Sequence, residues 1–266
     1  MKKMNFKNIL FSAALAAGAM SLASCSLDEE NPGGFTMENM AANSVESYQT
    51  LLNQCYFGME RFLYGTDGFM ELTEGDTDLW TYQGNQNTSY TQYFWFFAGA
   101  APNTTYTNGI WNSLYDGIGS CNMAISLANK APFKTEAEKN AKVAEARFLR
   151  AIYYFNAVEQ FGGVTMITEP ASSMNFAPTR TEPLTIYKDI IIPDLEFAVE
   201  WLDKGNDATT TQPTKKAALG MLAKVCLQTK EYATDEYRPE ALDAAKKRIT
   251  DSQSGGRTYR AYMDPA

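Results

Sequence analysis

Ala144-Glu145-Ala146-Arg147-Phe148-Leu149-Arg150-Ala151-Ile152-Tyr153-Tyr154-Phe155-Asn156-Ala157-Val158 is the stretch that decides how this chain folds. Ala144, Phe148, Ala151, Ile152, Phe155 and Val158 recur at spacings of three and four, which puts them on one face of an α-helix. The pattern predicts a helix from Thr135 to Phe161, with Gly162-Gly163 as its C-terminal stop. Ala144 and Ala151 are small, so a neighbouring helix can pack close to that face.

Upstream, the same spacing runs from Thr107 to Asn129 through Trp111, Leu114, Tyr115, Ile118, Met123, Ile125 and Leu127. Pro132 separates the two segments, which therefore read as an antiparallel pair. A first helix is expected from Met37 to about Leu63, ended by Gly65 and Gly68. Downstream, Thr181-Glu182-Pro183 is a sound helix start, followed by Ile186, Tyr187, Ile190, Ile191, Leu195, Ala198, Trp201 and Leu202, with a kink expected at Pro193. A further helix from Thr214 to about Thr229 carries Ala217, Ala218, Met221, Leu222, Val225 and Cys226, and another spans about Arg238 to Ile249. Apart from short apolar runs such as Val164 to Ile167, no strand pattern is evident. Helices in pairs predict an all-α, tetratricopeptide-like scaffold of helical hairpins, each burying its apolar face on the next, although the strict period of about 34 residues is missing.

Residues 65–103 differ in kind. Gly, Asn, Gln and Thr are dense there, periodicity is lost, and Trp80, Tyr82, Tyr90, Tyr93, Phe94, Trp95, Phe96 and Phe97 crowd the same stretch. This is a long aromatic-rich loop. Flat sugar faces pack on aromatic rings while their hydroxyls need amide or carboxylate partners, so a loop holding both kinds suits carbohydrate. Trp80, Tyr82, Tyr90, Tyr93 and Trp95 are the candidate platforms, with Asp78, Asn85 and Gln86 as hydrogen-bonding partners. The alternative for Phe94 to Phe97 is a place in the core. The acidic set Glu71, Glu74, Asp76 and Asp78 lacks the full calcium-loop pattern and reads as a solvated or capping cluster. Trp111 and Tyr115, one turn apart, read as core, and Arg147 and Arg150 as structural cations pairing with acids such as Glu145 or Glu182.

The chain has no histidine, which excludes a Ser-His-Asp triad, a Cys-His pair, a zinc helix of the HExxH type and any imidazole base. No catalytic residue, metal site or cofactor is expected. Cys55, Cys121 and Cys226 are widely spaced on apolar helix patterns and read as buried thiols, with a single disulfide as the alternative.

At the N-terminus, Lys2, Lys3 and Lys7 precede an apolar run from about Ile9 to Leu22, then Leu22-Ala23-Ser24-Cys25. This is the layout of a secretory signal peptide closed by a lipobox, so residues 1–24 are expected to be removed and Cys25 lipidated on its thiol and acylated on its new amino group. Residues 25–36 then form a tether and 37–266 the body. Without residues 1–24 the chain keeps 20 basic and 31 acidic residues, a net charge of about −11. That balance argues against nucleic acid as a partner. The signal also resembles those of Bacteroidetes surface lipoproteins in the acidic Asp28-Glu29-Glu30 that follows Ser26.

Four stretches carry a wider resemblance: Trp111-Asn112-Ser113-Leu114-Tyr115-Asp116-Gly117-Ile118 with Asn122, Ala144 through Phe155, Ile190 to Ala198 around Asp194-Leu195-Glu196, and Ala217-Ala218-Leu219 to Val225. Together they resemble the SusD/RagB family, from the lipobox to about residue 250. The resemblance implies a surface-exposed, outer-membrane lipoprotein that binds oligosaccharides without cleaving them and delivers them to a SusC-like TonB-dependent transporter. It covers the family's N-terminal half only. Two other functions compete: a peptide-binding relative, and a surface glycoside hydrolase using carboxylates alone.

Overall fold

The computed structural model describes residues 36–63, 73, 105–170, 178–203 and 211–232. The chain divides into two units, Met1–Thr36 and Met37–Ala266. Within the second, the described residues form α1 (Met37–Asn43), α2 (Val45–Leu63), α3 (Thr105–Leu127), a 3-10 turn (Ala128–Lys130), α4 (Glu136–Phe161), α5 (Pro183–Ile186), a π turn (Tyr187–Ile191), α6 (Ile192–Trp201) and α7 (Lys215–Tyr232). Residues 65–103 and the helix expected at Arg238–Ile249 lie outside the described residues.

Helix ends follow local chemistry. The Thr135 hydroxyl accepts from the Glu138 amide at 3.1 Å, while the Glu138 carboxylate accepts from the Lys134 amide at 2.9 Å, so two orphan donors are satisfied at the start of α4. At its other end Gly162 adopts φ 70°, a conformation that favours glycine, and its N–H reaches the Val158 carbonyl at 2.8 Å. The single helix expected from Met37 to Leu63 is broken at Ser44, whose hydroxyl accepts from the Ser47 amide at 3.1 Å and so starts a new helix. Pro193 does not end its helix. The turn before it widens, with the Ile192 amide bonding to the Tyr187 carbonyl five residues back, which absorbs the ring that would clash in a regular helix.

The helices run alternately up and down. In α2 and α3, Tyr48 donates to the Ala124 carbonyl at 2.8 Å while Gly58 faces Ser113, so numbering rises in one as it falls in the other. Trp111 meets Phe161 and Asn122 meets Arg150, making α3 and α4 antiparallel. Tyr187 meets Glu159 and Asp194 meets Arg150, so α5–α6 runs back along α4. α7 packs against α6 and reaches α4 through Gln228–Glu159 and Lys224–Phe155. This all-α, tetratricopeptide-like arrangement matches the sequence expectation, and no strand occurs among the described residues beyond one bridge between Val164 and Thr181. Ala144, Phe148, Ala151, Phe155 and Val158 all lie in the core. Ala217, expected on the buried face of α7, is exposed, and Ala218 takes the core position.

Candidate functional site

Each nitrogen of the Arg150 guanidinium makes a hydrogen bond. Its Nε and Nη2 donate to the two Asp194 carboxylate oxygens at 2.7 and 2.9 Å, and its Nη1 donates to Asn122 Oδ1 at 2.8 Å. Asn122 in turn donates to the Ile167 carbonyl at 2.9 Å, and the Tyr154 hydroxyl brackets Ile167, donating to its carbonyl at 2.8 Å and accepting from its amide at 2.7 Å. α3, α4 and α6 are thereby locked to the segment after Gly163. Burial pushes the Asp194 carboxyl up from its ordinary value, opposed by the hydrogen bonds and charge of Arg150. A buried, bidentate pair in this geometry holds helices in register.

Arg147 and Arg150 are structural, as read from the sequence, but their partner is Asp194 rather than Glu145 or Glu182: Arg147 lies 3.7 Å from Asp194 and stacks 4.3 Å over the Phe197 ring. Glu145 faces α2, where it accepts from the Tyr56 hydroxyl, with Lys142 at 3.8 Å. The sequence signal was the charge of Arg150, which calls for an acid without saying which one. Arg150 sits between buried positions of α4, and a cation there requires an acid from another element.

Trp111, Tyr115 and Phe161 form a half-buried aromatic set, with centroids at 4.8 and 5.1 Å from Trp111. The Tyr115 hydroxyl donates to the Thr165 carbonyl at 2.7 Å, and burial pushes its pKa up to about 12. This is packing, as the one-turn spacing implied. A cleft of about 380 Å³ opens at the start of α4 beside Phe133 and Thr135, but Lys139 within it is already paired with Glu136 at 2.8 Å and Asn129 at 3.0 Å. No group of acids or cysteines among the described residues is placed to hold a metal ion, and no helix among them is long and apolar enough to cross a membrane.

The platform candidates Trp80, Tyr82, Tyr90, Tyr93 and Trp95, their partners Asp78, Asn85 and Gln86, and Cys25 lie outside the described residues. Because α2 and α3 are antiparallel, the end of α2 at Leu63 and the start of α3 at Thr105 lie at the same end of the hairpin, so the intervening chain leaves and returns at one place.

Antiparallel helices stacked in this order define a helical-repeat scaffold. The model of a SusD-like family described as "Starch-binding associating with outer membrane" matches residues 27–227, and the chain belongs to that family. It is 29% identical over 219 residues to SusD-like protein P2 of Formosa agariphila, covering 80% of this chain and 42% of that one. A SusD superfamily protein of Parabacteroides distasonis superposes with a TM-score of 0.62 at 25% identity, over 78% of this chain and 45% of that one. Surface glycan-binding protein A of Bacteroides fluxus shares the fold, with a TM-score of 0.61 at 21% identity over 81% of this chain and 46% of that one. The chain thus spans less than half the length of these relatives.

Proposed function

We propose that this protein is a cell-surface lipoprotein that captures oligosaccharides and hands them to a SusC-like TonB-dependent transporter. Membership of a family described as starch-binding and outer-membrane-associated is the observation that carries the reading. The sequence supports it at both ends of the task. The lipobox ending in Cys25 gives an anchor, and Trp80, Tyr82, Tyr90, Tyr93 and Trp95, with Asp78, Asn85 and Gln86, give the stacking faces and hydrogen-bonding groups a sugar needs. The protein binds its glycan without cleaving it.

Affinity electrophoresis of the chain lacking residues 1–24 against a panel of polysaccharides tests this. Retardation by a glycan that stays intact is the expected result. Release of reducing ends would replace the reading with a carboxylate-only hydrolase, and indifference to every glycan would remove the loop as a glycan site. Trp80→Ala and Trp95→Ala should each weaken binding by about 1–3 kcal/mol, by analogy with stacking of other flat ligands on aromatic rings.

A further inference from the structure

Cys55 on α2 and Cys121 on α3 face each other between two levels at which these helices are pinned. On one side, Gly58 and Gly117 both abut Tyr153: a Cβ on Gly58 would come within 3.0 Å of its hydroxyl and 2.7 Å of the Ser113 carbonyl, and one on Gly117 would overlap its ring. On the other, the Tyr48 hydroxyl donates to the Ala124 carbonyl at 2.8 Å. Cys55 lies one turn before Gly58 and Cys121 one turn after Gly117. In an antiparallel pair that brings both to the same level. Each is fully buried in one core cluster and neither is disulfide-bonded; the Cys55 thiol donates to the Leu51 carbonyl at 3.8 Å and neighbours the Cys121 thiol. Tyr153 further fixes the level by donating to the Cys55 carbonyl at 2.6 Å.

We propose that Cys55 and Cys121 form a disulfide that staples α2 to α3 when the chain folds in the presence of a small-molecule disulfide. The Cys55 thiolate attacks one sulfur of that oxidant, breaking its S–S bond and releasing one thiol. The Cys121 thiolate then attacks the mixed disulfide at Cys55, forming the Cys55–Cys121 bond and expelling the second thiol. The two cysteines lose two electrons, the oxidant gains them, and the two protons end on its thiols. Once the core has closed, both groups are sealed from solvent, and burial pushes the Cys121 thiol up and away from the reactive thiolate. The exchange therefore belongs to folding. Its product closes a loop of chain that includes residues 65–103, and a loop of that length is one in which a cross-link restricts the unfolded chain strongly.

The test is to refold the full chain in a glutathione redox buffer and, separately, in dithiothreitol, then denature, alkylate and map the peptides. In the redox buffer Cys55 and Cys121 should escape alkylation together and appear in one cross-linked peptide, Cys226 should be alkylated, and the urea midpoint should lie above that of the dithiothreitol sample. Cys121→Ser should abolish that difference and leave Cys55 fully alkylated. Complete alkylation of Cys55 and Cys121 after oxidative refolding, or a cross-link from either to any other cysteine, would overturn the proposal. The wild-type peptide map decides this however the variant folds.

Discussion

One turn of α4 separates two different ways of joining helices. At Arg150 the joint is polar: a guanidinium, a carboxylate and an amide from three helices meet in paired bonds of 2.7–2.9 Å. At Tyr153 it is steric, a phenol ring wedged where glycines at 58 and 117 let α2 and α3 come close. The polar joint tolerates only a matching set of charges, because a buried ion without its partner is costly. The steric joint tolerates only a matching shape, since a packed interior has little free volume. The first fixes which helices meet; the second fixes how closely.

The largest effect should come from breaking the polar joint from one side. Asp194→Ala leaves the Arg150 guanidinium buried without its carboxylate, and a loss of about 3–5 kcal/mol in urea unfolding is expected. Arg150→Met with Asp194→Leu removes both charges at similar volume and should recover much of that loss, because the penalty comes from the orphaned ion rather than the missing bond. A double variant as unstable as the single one would show that charge matching is not what this joint supplies.

Gly117→Ala attacks the other joint. The added methyl falls on the buried Tyr153 ring, so a loss of about 1–3 kcal/mol is expected, and shrinking the ring with Tyr153→Leu should make the same alanine nearly harmless. A Gly117→Ala penalty unchanged by the smaller side chain would place the strain elsewhere. Tyr153→Phe keeps the wedge and removes only the hydroxyl bonded to the Cys55 carbonyl, for about 1 kcal/mol. The order of these two losses measures how far the joint is shape and how far it is hydrogen bond.

The helices were legible in the amino-acid sequence, and the two joints between them were not. Periodicity gave the helices, because Ala144, Phe148, Ala151, Phe155 and Val158 report burial through local spacing alone. The break at Ser44 had a local cause too, but an apolar pattern running through Tyr48 and Leu51 outweighed it. Asp194 as the partner of Arg150 was not legible, since a pairing across 44 residues is set by how helices stack and many acids were available. Nor was the wedge: glycines inside helices read as weak points until the ring that occupies their space is placed. The candidate glycan residues from Asp78 to Trp95 rest on composition, which shows what a loop can bind and not how its side chains converge.

Glu145 sharpens the comparison with the smallest effect. It is a charge on the α2 side of α4, where no arginine meets it; its partners are the Tyr56 hydroxyl and Lys142 at 3.8 Å. Burial raises its pKa above the ordinary 4.5, against the Tyr56 bond and the Lys142 charge. The native state therefore keeps this proton to higher pH than the unfolded chain does, and the sign follows. Where the folded protein binds more protons, stability falls as pH rises, here from the ordinary value up through the raised one, and levels off above it. Glu145→Gln keeps an oxygen to accept from Tyr56 and has no proton to lose. Urea midpoints between acid and neutral pH should then show a decline in the wild type that the variant lacks, while the contribution of Asp194, common to both, cancels in their difference. Parallel curves would mean that the α2 side of α4 accommodates a carboxylate without an arginine as readily as the α6 side accommodates one with it, and the division between steric and polar joints would fail.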